Sequence, residues 1–132
     1  MERERPTAVA TSDAPAAIGP YSQAVRAGGF VYVSGQLAIN PATGQIVEGD
    51  AAAQAAQCMR NVLAILAAAG VGANDIVRCG IFVTDIGQFA AVNEAYAAAL
   101  GDARPARATV EVSALPRGGL VEIEAVAWGG AS

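Results

Sequence analysis

Histidine and lysine are absent from this chain; its eight basic residues are all arginine. Without lysine there is no Schiff-base amine and no Walker-type phosphate lysine. Without histidine, Ser-His and Cys-His nucleophile pairs and most zinc sites are excluded. Polar chemistry is left to Arg, Asp, Glu, Tyr, Ser, Thr and two cysteines. Cys58 and Cys79 stand far apart among small or apolar neighbours, with no CxxC spacing and no histidine to complete a metal set. Both are expected to be buried free thiols in a reducing cytosol. No metal or other cofactor is expected. Aromatic residues make up only 5% of the chain and alanine inflates its hydrophobic content, so small alanine-rich faces are available to pack on another subunit.

A basic run is also missing, and the net charge is -4, which weakens the case for a nucleic-acid or anionic-membrane surface. Arg60 and Asn61 interrupt the longest alanine-rich segment, so no membrane span is expected. The start, Met1-Glu2-Arg3-Glu4-Arg5, lacks the following apolar core of a signal peptide. A cytoplasmic, soluble protein with one domain over residues 1–132 is the expectation.

Along the chain, Pro6 to Ala10 reads as a short first strand and Thr11 to Pro15 as a loop. Gly19 to Arg26, then Ala27-Gly28-Gly29, then Phe30 to Leu37 make a strand, glycine turn, strand pattern. Phe30, Tyr32 and Ser34 would share one face, with Val31, Val33 and Gly35 on the other; Gly35 marks either a bulge or a close backbone approach. Asn40 to Gly44 reads as a turn. Asp50 can cap a helix running to about Ala69, stopped by Gly70. Its apolar stripe is Ala55, Met59, Val62, Leu63 and Leu66, which leaves Gln54, Gln57 and Asn61 toward water. Ile76 to Val83 reads as a strand, with Ile76, Arg78, Gly80 and Phe82 on one side. Thr84 or Asp85 begins a second helix, where Phe89, Val92, Tyr96 and Leu100 recur at helical spacing before Gly101.

Charge and strand pattern concentrate in Arg104 to Val112 and Leu120 to Val126. Arg107, Thr109 and Glu111 share one face of the first run. In the second, Val121, Ile123, Ala125 and Ala127 form an apolar face opposite Glu122 and Glu124. Ser113 to Gly119, with its Pro and paired Gly, suits a loop joining two antiparallel strands, so an arginine and one or two carboxylates could meet on one sheet face. Register is open, so spacing does not say which glutamate lies nearer Arg107. On composition alone Arg107 is an exposed strand arginine paired with Glu122 or Glu124, and Arg104 and Arg117 are solvated charges that could widen anion attraction. The element order predicts an α+β sandwich with two helices on one face of a mixed, mostly antiparallel sheet. The other face must be solvated or buried in an oligomer.

Several segments together resemble a known family. They are Ile18-Gly19-Pro20-Tyr21-Ser22-Gln23-Ala24, Val31-Tyr32-Val33-Ser34-Gly35-Gln36, Ala91-Val92-Asn93-Glu94, Pro105-Ala106-Arg107, and Leu115-Pro116 followed by Val121-Glu122-Ile123-Glu124-Ala125. Each is weak alone; in this order they cover nearly the whole chain and resemble the reactive intermediate deaminases, the RidA or YjgF-like proteins, also labelled endoribonuclease or translation-inhibitor homologues.

The resemblance implies a chorismate-mutase-like fold, a barrel-like homotrimer, and clefts between subunits that bind small carboxylates. It implies hydrolysis of 2-imino acids, such as 2-iminopropanoate and 2-iminobutanoate, to 2-oxo acids and ammonium. Arg107 would be the carboxylate-binding arginine and Glu122 the acid that holds or activates water. Tyr21, Ser34, Gly35 and Asn93 fall on pocket positions. Thr109 stands where deaminase members usually carry cysteine, which opens the substrate range to question. A planar guanidinium can hold a carboxylate through two parallel charge-assisted hydrogen bonds. Water addition to a protonated imine needs a positioned acid/base, which typically contributes about 10² to 10⁴ in rate. The alternatives are a regulatory module that binds small carboxylates without turnover and an endoribonuclease-like translation inhibitor.

Overall fold

The computed structural model describes residues 3–130; Met1 and Glu2 of the charged start lie outside it, as do Ala131 and Ser132. Strand β1 (Thr7–Val9) leads through a long loop to β2 (Ala24–Ala27), and the Gly28-Gly29 turn, both glycines at positive φ, returns the chain as β3 (Phe30–Leu37). A small hairpin follows, β4 (Ile39–Asn40) and β5 (Gln45–Ile46). Asp50 accepts a hydrogen bond from the Ala53 N–H and starts α1 (Ala51–Ala68). Strand β6 (Ile76–Val83) runs to Asp85, which caps a single 3₁₀ turn at Ile86–Gln88 that continues into α2 (Phe89–Leu100). Strands β7 (Ala106–Glu111) and β8 (Val121–Trp128) complete the chain.

The larger sheet has the order β1-β2-β3-β8-β6-β7. Every pairing is antiparallel except β6 with β7, which are joined through α2 as a parallel crossover. The helices pack on one face. Met59, Val62, Ile65, Leu66, Val92 and Leu100 meet Val31, Ile81, Val83, Val121 and Ile123 there, all buried. Ala24, Ala55, Ala125 and Ala127 are buried among them, so the alanine content lets helix and sheet approach closely. The opposite sheet face carries Tyr32, Val110 and Trp128, each nearly half exposed.

Four expectations need correction. Strands β7 and β8 both form, but not as neighbours: β6 lies between them, because α2 delivers β7 parallel to β6 and β8 takes the place between β3 and β6. Ser113 to Gly119 is therefore no hairpin loop. Second, a bulge in β3 sets Ser34 and Gly35 both opposite Glu124, so alternation breaks and Gly35 leaves the face of Val31 and Val33 while Gln36 becomes buried. Third, a similar irregularity between Ile76 and Arg78 buries Ile76 and exposes Val77. Fourth, Gln54, Gln57 and Asn61 are buried, not hydrated, at 5%, 8% and 1% exposure. Their amides bind backbone. Asn61 Nδ2 donates to Leu37 O at 3.1 Å and Ile39 O at 2.9 Å, and Gln54 Oε1 accepts from Leu120 N at 2.8 Å. These bonds pin the end of β3 and the entry to β8 onto α1, which the apolar stripe alone would not do.

Candidate functional site

Arg107 lies on the edge strand β7. Its register partner is Cys79, whose own partner is Ala125, so all three side chains share the helix-covered face. Helix α2 then decides where the guanidinium goes. Arg107 Nη1 donates to Asn93 Oδ1, and Cζ lies 5.4 Å from the Phe89 ring centroid and 5.4 Å from that of Tyr96. Two aromatic rings and one amide hold the group without neutralising it. Phe89, Asn93 and Tyr96 recur at helical spacing; only Tyr96 is buried, and Phe89 is 37% exposed in this role. The helical period reads both aromatics as core, and nothing in it marks them as an arginine's support. Asn93, Tyr96, Arg104, Pro105 and Arg107 line a cavity of about 480 Å³.

Glu122 is placed differently. Its partners are Leu37 on one side and Phe82 on the other, three positions along from Ala125, so its carboxyl is on the sheet face away from the helices. The β3 bulge brings bare backbone beneath it: a Cβ on Gly35 would stand 2.9 Å from Glu122 Cδ and 3.0 Å from Oε2. Gly35 is thus both a bulge residue and a close approach. Burial, and next to it the Glu124 charge, push the Glu122 carboxyl above the ordinary carboxylate range. Glu124 itself pairs with Arg78 at 3.7 Å. Tyr21, Ser34, Gly35 and Glu122 line a cavity of about 620 Å³, with Ile18 and Arg117 also in its wall.

The rest of that wall is held by groups whose sequence gives little sign of the task. Gln23, 4% exposed, donates through Nε2 to Thr11 O, Ala14 O and Pro15 O and accepts from Thr11 N, fastening the loop that ends at Tyr21. Ser34 Oγ donates to Ser22 O at 2.6 Å, tying the bulge to the same segment. Arg117, at φ 61, donates from Nη2 to Gly44 O.

The candidates therefore divide. Arg107 and Asn93 belong to one cavity; Tyr21, Ser34, Gly35 and Glu122 belong to another on the opposite sheet face. The expectation that Arg107 and a glutamate meet on one face of this sheet is incorrect within a single chain. Thr109 lies on the Arg107 face, where its buried hydroxyl has no hydrogen-bond partner among the described residues. The cysteines are free and buried; burial pushes the Cys58 thiol up to about 12 and raises Cys79 as well. Among the described residues no group of three or more Cys, Asp or Glu is placed to hold a metal ion. No helix among them is long and apolar enough to cross a membrane.

The family model described as endoribonuclease L-PSP matches residues 11–128, a span that holds both cavities. The chain belongs to that family. It is the family of the RidA and YjgF-like proteins. The endoribonuclease L-PSP relatives include protein DfrA of Myxococcus xanthus, 53% identical over 129 residues, which cover 96% of this chain and 98% of DfrA. They also include a Capra hircus protein named 2-iminobutanoate/2-iminopropanoate deaminase, 47% identical over 119 residues, 90% of this chain and 87% of that one. Among solved structures, RidA from the Antarctic bacterium Psychrobacter sp. aligns with a TM-score of 0.88 at 48% identity, covering 92% of this chain and 98% of its own. The fold is that of the family, and deaminases are among its members.

Proposed function

We propose that this chain is a cofactor-free 2-imino acid deaminase whose active site is completed between two copies, in a trimer. The observation that carries the reading is the separation just described: the Arg107 guanidinium, held without an ion pair among the described residues, on one face of the sheet and the Glu122 carboxyl on the other. Imine hydrolysis needs both at one substrate. A closed ring of heterologous contacts brings the Arg107 cavity of one copy to the Glu122 cavity of the next, and the exposed face carrying Tyr32, Val110 and Trp128 is where copies would meet.

In that cleft Arg107 holds the substrate carboxylate through two parallel hydrogen bonds. Glu122 accepts a proton from water as the oxygen bonds to the iminium carbon, then returns it to the nitrogen of the carbinolamine. The C–N bond breaks, ammonia leaves, and Glu122 takes the hydroxyl proton as the C=O of the 2-oxo acid forms; that proton passes to the ammonia, which departs as ammonium. No covalent enzyme intermediate is needed. Burial, and next to it the Glu124 charge, raise the affinity of Glu122 for its proton, the direction that suits a group that must both take and give one.

The test generates 2-iminopropanoate or 2-iminobutanoate with an amino-acid oxidase in the presence of semicarbazide. Suppression of semicarbazone by wild-type protein and not by Arg107→Ala is the expected result. Unchanged semicarbazone across several imino acids would reject the deaminase reading.

A further inference from the structure

From sequence, Arg104 reads as a solvated charge at the end of α2, but in the fold it stands in the wall of the Arg107 cavity. That cavity has two arginines in its lining and no acidic residue. Asp102 and Glu94 are nearby in sequence, yet the ion pair found among the described residues is Arg78 with Glu124, on the other sheet face. Arg104 Nη1 donates to Gly101 O and Ala103 O at 2.8 and 2.7 Å, which fixes the side chain across the C-terminal end of α2. Tyr96 stands in the same lining as both arginines, and the Arg107 Cζ lies 5.4 Å from its ring centroid. One monocarboxylate satisfies one guanidinium. Arg107 is the anchor proposed above for the carboxylate beside the imine; a second cation in the wall calls for a second anion.

We propose that Arg104 makes this site selective for 2-imino dicarboxylates, pairing with the carboxylate at the end remote from the imine. The inference rests on the imine-hydrolysis reading and names its substrate class. The chemistry is unchanged: water adds, ammonium leaves, and a 2-oxo dicarboxylate is released. A cavity of about 480 Å³ holds a four- or five-carbon diacid, and Leu100 and Pro105 in its wall reduce the water that would screen the pair.

The experiment uses a matched pair, 2-oxobutanoate and 2-oxobutanedioate, which differ only in the terminal carboxylate. Calorimetric titration of the wild type is expected to give at least about tenfold tighter binding of the diacid, the scale of a hydrogen bond to a charged group. Arg104→Gln should bring the ratio of the two constants close to one. Arg104→Lys, which keeps the charge without the fork, should retain part of it. The imines, made by oxidising 2-aminobutanoate and aspartate in the semicarbazide assay, should show the same order in kcat/KM. Equal binding of the two acids by the wild type, or an undiminished preference in Arg104→Gln, overturns the proposal. If 2-iminobutanoate is hydrolysed without any preference for the diacid, this inference fails alone. If neither imine is hydrolysed and neither acid binds, the deaminase reading fails with it.

Discussion

Arg107 and Glu122 are steered by different means. Three side chains of α2 surround the guanidinium from one helix face, two rings and an amide, so its position depends on local helical spacing. Glu122 owes its position to backbone: a bulge in β3, a glycine beneath the carboxyl, and amides of α1 that pin the strand ends on either side. An edge strand tolerates a changed side chain, whereas the bare backbone of the bulge beneath Glu122 has no room for an added Cβ. The two halves should therefore fail differently when changed.

The largest effect is expected from removing Arg107 or Glu122, because the two have different tasks at the substrate and neither can replace the other. Arg107→Ala should raise KM and abolish turnover at ordinary substrate concentrations. Glu122→Gln should lower kcat by about 10² to 10⁴. Co-expressed at equal levels, the two inactive variants should recover about a quarter of wild-type activity, since a site between random neighbours has both groups intact in that share of cases. Activity staying at the level of the single variants would place both groups in one chain's own site, contrary to the register.

Gly35→Ala is next. The added methyl would meet Glu122 Cδ at 2.9 Å, and the carboxyl must turn away or the bulge must shift. The expected loss is ten- to a hundredfold in kcat, with about 1 to 3 kcal/mol of stability. No change on the Arg107 half should accompany it: binding of a 2-oxo acid through that half should weaken far less than kcat. Equal losses in both would show that the halves do not fail separately.

The Arg107 half was the more legible of the two. Strand β6 is bounded as the pattern predicts and α2 stops at Gly101 as expected, although a 3₁₀ turn after Asp85 moves its start to Phe89, and Arg107 stands in a recognisable Pro-Ala-Arg segment. Helical spacing makes its aromatic support look like core, because spacing marks a face and says nothing of what that face touches. Glu122 stands out only through the resemblance of its Val-Glu-Ile-Glu-Ala segment, and spacing does not show its surroundings. A bulge inserts one residue and inverts every later assignment of faces, and its only sign is a glycine that also fits other roles. The buried amides Gln54, Gln57 and Asn61 look hydrophilic on a helical projection; their partners are carbonyls and N–H groups distant in sequence. The misplaced neighbour relation of β7 and β8 has the same origin, since strand order is set by the α2 crossover and not by the loop between them.

Each half also carries a local cost, and these costs are of different kinds. On the Arg107 side the Thr109 hydroxyl is buried without a partner among the described residues. Thr109→Val keeps the shape and removes the unpaired group, so urea unfolding should show a gain of about 1 kcal/mol. A loss of stability instead would mean that the hydroxyl is satisfied, by water or by a neighbouring copy.

On the Glu122 side the cost is electrostatic and depends on pH. The folded carboxyl holds its proton more tightly than the unfolded one, because burial and Glu124 both disfavour its charge. Its contribution to stability is therefore fully present below the ordinary carboxylate range and is lost as pH rises through the raised folded value. Replacing it with a neutral isostere removes that loss. Glu122→Gln should be slightly more stable than wild type at pH 7, the margin being small because water screens a half-buried carboxyl, and the difference should close as the pH falls into the ordinary carboxylate range. Paired denaturant titrations of the two proteins at pH 4, 5.5 and 7 measure it, and a variant less stable at pH 7 would contradict the raised proton affinity. The substitution that most damages turnover on this half is then also one that relaxes the fold, which is the behaviour of a carboxyl retained for its chemistry and not for its packing.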